Sequence, residues 1–135
     1  MGLIEELGTF LDGESTRFTL GTNLFLNTPI PDEPNAAASI VEYPGSAPDY
    51  VFANDLPSFE NARVAVTCRS TSSATARTNI HTAWVALQRV TNETLSSKSW
   101  LRCSAVQSPF FLKKDEQGRP VYQANFSCQR RTTST

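Results

Sequence analysis

The 135 residues are enough for one domain with a hydrophobic core of its own, one that requires neither metal nor disulfide to hold it. Apolar residues make up 39% and charged ones 19%, both low for a compact globular chain, so long polar connections around a modest core are expected. A formal charge of −1 excludes the basic excess of a free-standing nucleic-acid binder, and no window approaches the roughly 18 unbroken apolar residues of a membrane span.

In chain order, Leu3, Ile4, Leu7, Phe10 and Leu11 recur at helical spacing and predict a short amphipathic helix, weakened by Gly8 and ended by Asp12-Gly13. The start lacks a basic region ahead of an apolar core, which argues against a signal peptide, and Glu6 breaks the myristoylation pattern. Asn23-Leu24-Phe25-Leu26 reads as a short strand, stopped by a stretch containing Pro29, Pro31 and Pro34. Ser39–Tyr43 is a second strand, closed by Pro44-Gly45. From Ser46 to Asn61 the chain reads as a long loop with a short extended patch, carrying Tyr50, Val51, Phe52, Leu56 and Phe59. Ala62–Arg69 then alternates, with Val64, Val66 and Cys68 on one face and Arg63, Thr67 and Arg69 on the other.

Candidate caps at Ser70–Ser73 open a second helix with Ile80, Ala83, Trp84 and Leu87 as its buried stripe, running to about Arg89 and broken at Thr91-Asn92. Trp100–Val106 is another strand. The last third predicts a β-hairpin. Ser108–Lys114 leads into the turn Asp115-Glu116-Gln117-Gly118, and the return strand places Tyr122, Ala124, Phe126 and Cys128 on one face. A polar, frayed tail is expected after Gln129. The pattern is α+β: one antiparallel or mixed sheet, two helices on one face and a C-terminal hairpin, in a single domain spanning 1–135.

Motifs for chemistry are absent. There is no Gly-rich phosphate loop, nucleophile elbow or His-Glu-x-x-His, so no enzyme and no cofactor are expected. His81 lies on the second helix beside its apolar stripe, with nothing in sequence to make it a base. Cys68, Cys103 and Cys128 lack metal-ligand spacing and read as buried, reduced thiols. Asp115-Glu116 reads as a solvated turn or as a charged protein contact, neutralised by Lys113, Lys114 and Arg119. Phe110-Phe111 beside the lysines is either the texture of a single-strand binder or simply core. The aromatic loop is either folded onto the domain or displayed to a partner.

Ser108-Pro109-Phe110, then Asp115-Glu116-x-Gly118-Arg119 and Tyr122-x-x-Asn125-Phe126, resemble the small tail terminator proteins of long-tailed bacteriophages. Ile40–Gly45, Leu56-Pro57 followed by Val64-x-Val66-x-x-Arg69, and the helix with Ala74, Ala76, Ile80 and Leu87 are similar to the same family in the same order, over roughly residues 1–129. The resemblance implies a homohexameric ring on the tail tube that ends its polymerisation and offers a docking surface to the head-neck connector. Genomic DNA would pass through its lumen without specific binding, and the location would be the virion, reached from the host cytoplasm. A closed ring needs two different patches per subunit. Tyr50, Phe52 and Phe59 are candidates for one, and Lys113, Lys114, Asp115, Glu116 and Arg119 for the other. A neck or head-completion protein is the alternative. A nucleic-acid accessory protein would need a basic face built from Arg63, Arg69, Arg130 and Arg131.

Overall fold

The computed structural model describes residues 2–44, 49–50, 57–95 and 98–131. Its elements run α1 (Leu3–Glu14), β1 (Leu24–Leu26), β2 (Ala37–Tyr43), β3 (Asp49–Tyr50), β4 (Pro57–Arg69), α2 (Ser73–Leu87), β5 (Thr91–Leu95), β6 (Lys98–Ala105), β7 (Phe110–Lys114) and β8 (Pro120–Arg131). The two long strands, β4 and β8, form an antiparallel spine from Phe59↔Arg131 to Arg69↔Val121. Around it the sheet is ordered β1-β2-β4-β8-β6-β5, with β3 added to β4 and β7 to β8. Only β1–β2 is parallel among the named pairs. The fold is α+β, with both helices against one face of a mixed sheet.

The alternation read from the sequence sets that face. Ala38, Ile40, Val64, Val66, Cys68, Ala124, Phe126 and Cys128 are all buried under the helices. Helix α1 presents Leu3, Ile4, Leu7 and Leu11 to them, each 4% exposed or less, a stripe stabilising by about 1.5–3 kcal/mol per side chain. A Cβ on Gly8 would lie 2.8 Å from Leu26 Cδ2, so the glycine that weakens the helix lets it pack closely on β1. The helix continues past Asp12-Gly13 to Glu14, where the Ser15 N–H bonds the Leu11 carbonyl. In α2 the Ser72 hydroxyl caps Thr75 N–H, and Ala76, Ile80, Ala83 and Leu87 are fully buried. Trp84 sits at the edge of that stripe, half-buried, its indole N–H donating to the Gln107 carbonyl at 3.2 Å.

Three expectations change. The stretch after Thr91 forms strand β5, whose polar residues alternate too weakly to show in sequence; backbone pairing to β6, from Thr91↔Arg102 to Leu95↔Lys98, makes it a strand. Strand β4 begins at Pro57 rather than after Asn61, because β8 is long enough to pair with Phe59, Glu60 and Asn61, and proline is tolerated at a first strand position. Strand β8 runs through Arg131, beyond Gln129 where the polar tail was expected. Within the aromatic loop, residues 45–48 and 51–56 lie outside the described residues, and Phe52 is among them.

Candidate assembly interface

The hairpin forms as expected, with Phe110↔Gln123 and Lys114↔Pro120 in register and an irregularity between Phe111 and Lys113. Gly118 takes φ +76, the backbone freedom the turn demands, and its N–H bonds the Asp115 carbonyl. Lys113, Lys114 and Glu116 project into solvent. Asp115 and Arg119 do not. The Asp115 carboxylate accepts from the N–H groups of Gln117 and Arg119 and from Arg119 Nε. Arg119, 5% exposed, continues to the Asp32 carbonyl at 2.7 Å and Asn35 Oδ1 at 3.0 Å. Arg69, also buried, donates to the carbonyls of Pro34 and Asn35. Two guanidiniums thus pin the proline-rich segment to the hairpin, and the expected solvated turn is solvated only in part.

Partial desolvation pushes the Asp115 carboxyl up. The hydrogen bonds from Arg119 and Gln117, with the Arg119 charge, outweigh this and hold it below the usual carboxylate range. Desolvation and the neighbouring Arg119 charge lower the Arg69 guanidinium, against the pull of Asp115 and Asp32.

Phe111 and Leu112 stand out on β7, 50% and 42% exposed, so Phe111 is not core; its ring meets Tyr122 edge-on at 5.6 Å. The irregularity falls at Leu112, after Phe111, which keeps its register with Tyr122 at the margin of the sheet. The other candidate patch lies at the far end of the spine. The backbone pairs Asp49↔Phe59 and Tyr50↔Pro57 place Tyr50 and Phe59 there, while the hairpin joins the spine at Val121↔Arg69. Phe59 and Arg69 lie ten positions apart on β4, about 33 Å at strand rise.

Arg63, Arg69 and Arg130 of the suggested basic face do not come together. Arg69 is buried under the proline segment on the open face of the sheet, and Arg130 is buried on the helix side. Arg63 is exposed on the open face, among the half-buried, uncharged Thr67, Gln123, Asn125 and Ser127. Sequence reasoning missed the network around Arg130. Its Nη1 lies 3.3 Å from Glu6 Oε1, its Nη2 2.6 Å from Glu60, and Glu6 Oε1 also accepts from Trp100 Nε1 at 2.7 Å. Glu6 occupies a helix position beside the apolar stripe, so only its place under Trp100 marks it.

A groove of about 580 Å³ between the end of α1 and the outer face of α2 is lined by Glu14, Arg77, His81, Val85 and Arg89. His81 there is exposed and meets Trp84 edge-on. Among the described residues no cluster of His, Cys, Asp or Glu has the makings of a metal site, and no helix is long and apolar enough to cross a membrane.

The family model for the bacteriophage tail terminator protein matches residues 3–132. The chain belongs to the bacteriophage tail terminator family. The role is accordingly that of a structural tail-assembly protein rather than an enzyme. No curated protein matches the sequence. A solved chain from the virion of native gene transfer agent (GTA) particle has a fold similar to this terminator, with TM-score 0.58 at 13% identity, covering 97% of this chain and 99% of that one.

Proposed function

We propose that this terminator closes into a homohexameric ring on the tail tube, ends tube polymerisation and presents a docking surface to the head-neck connector in the virion. The family match across residues 3–132 carries the reading. The spacing of the candidate patches supports it. A head-to-tail ring needs two unlike surfaces on each subunit, and the β3–β4 end and the β7–β8 hairpin lie at opposite ends of one spine. Tyr50 and Phe59 belong to the first by backbone pairing, and Phe52 is assigned to it from sequence alone. Lys113, Lys114 and Glu116 are the contact residues of the second, which Asp115 and Arg119 hold in shape.

A ring that lets DNA pass must not grip it. The net charge of −1 suits that, since counterion release to a strongly basic lumen would retain the duplex. Adding the purified chain to polymerising tube protein is the test. Rings seated at tube ends, with lengths that stop increasing, are expected; unchanged growth with no ring at the ends would overturn the reading.

A further inference from the structure

We propose that Cys103 and Cys128 form an oxidation site that closes a cross-strand disulfide between β6 and β8. The two residues are register partners, and their Sγ atoms are 3.3 Å apart in the buried layer under the helices. The Cys103 N–H points away from β8 and bonds the Val90 carbonyl at 2.9 Å. Nearby, the Val106 N–H bonds the Asn125 carbonyl. By the alternation of the ladder, Cys103–Cys128 is therefore a non-hydrogen-bonded pair, the antiparallel arrangement that brings side chains closest, with Cα atoms about 4.5 Å apart. That spacing lies within the range a disulfide spans, about 4.4–6.8 Å.

The third thiol is excluded by the same register. Cys68 pairs with Tyr122, whereas Cys128 pairs with Ala62 on the same strand. The six positions from Ala62 to Cys68 amount to roughly 20 Å. Burial pushes the Cys68 thiol far up, and the shared hydrogen bond with Cys128, then burial, push Cys103 up as well. Little thiolate exists in the folded chain, so exchange proceeds while the chain folds or opens locally.

With glutathione disulfide as oxidant, one cysteine thiolate attacks a glutathione sulfur, forming a mixed disulfide and releasing one glutathione thiolate. The second cysteine thiolate then attacks the protein sulfur of that mixed disulfide and releases the other glutathione. The protein sulfurs lose two electrons in all, the glutathione disulfide gains them, and the two thiol protons end on the released glutathiones. The bond ties the edge pair β5–β6 to the spine across 25 residues of chain. It leaves the open face of the sheet and the hairpin tip untouched.

The test is to refold the full chain in a glutathione redox buffer, quench with acid, alkylate and map the peptides by mass. The Cys103 peptide joined to the Cys128 peptide, with Cys68 alkylated, is expected, and the melting temperature should rise by about 5–10 °C. Cys68→Ala should retain both results and Cys103→Ala should lose both. Three alkylated cysteines in the most oxidising buffer, or cross-links shared evenly with Cys68, would overturn the proposal. The peptide map of the unaltered chain decides this even if Cys103→Ala fails to fold.

Discussion

The Asp115 carboxylate accepts from the Arg119 backbone N–H and from Arg119 Nε, both at 2.8 Å, so one side chain closes the hairpin turn and holds a buried guanidinium. That guanidinium in turn grips the Asp32 carbonyl, and the proline segment, the turn and the end of the spine become one corner. The neighbouring Lys113, Lys114 and Glu116 are left facing solvent. The charged tip thus divides its labour: two residues build the corner and three face outward.

Stability should depend on acid through Asp115. Its folded carboxyl titrates below its unfolded value, so the stabilisation is complete above about pH 4 and is lost as pH falls through the lower folded value. Asp115→Asn should melt at a lower temperature than the unaltered chain at pH 7, and the gap should narrow as the pH falls below about 4. Thermal melts across the acid range measure this; a constant gap would assign the loss to geometry alone.

Removing Glu6 should be costly. Its carboxylate lies between Trp100 Nε1 and Arg130 with 1% exposure, so Glu6→Ala leaves a buried indole donor unpaired and weakens the pairing of a buried charge. A loss of about 3–5 kcal/mol is expected by urea denaturation, with Glu60 retaining part of the Arg130 pairing. A cycle combining Glu6→Ala with Trp100→Phe should show non-additivity.

Most of the fold was legible because period-two patterning marks the strands that bury one face. Val64, Val66, Ala124 and Phe126 were readable for that reason, as were both helices from their apolar spacing. Strand β5 was not, because an edge strand of polar residues is defined by backbone pairing to β6 and leaves little trace in side-chain pattern. The candidate tip was legible as a charged turn, but its division was not. Nothing local to Asp115 and Arg119 announces Asp32 and Asn35, more than eighty residues away, as the partners that bury the guanidinium.

The two tryptophans should separate in energy. Trp100 is 1% exposed and Trp84 half-buried, so Trp100→Ala should cost about 3–5 kcal/mol and Trp84→Ala roughly half as much. Equal losses in chemical denaturation would place Trp84 in the core after all.

Reversing the outward charges should uncouple folding from assembly. Lys113→Glu with Lys114→Glu should change stability by no more than about 0.5 kcal/mol, as expected for exposed positions. The same variant should fail to form rings or to dock on tubes by negative-stain microscopy. Normal rings would remove the tip from the interface.

The most direct measurement is electron microscopy of particles assembled without this chain. A ring that caps the tube predicts overlong tubes beside separate, filled heads. Tails of normal length beside leaking or empty heads would contradict it and assign the chain to sealing the portal.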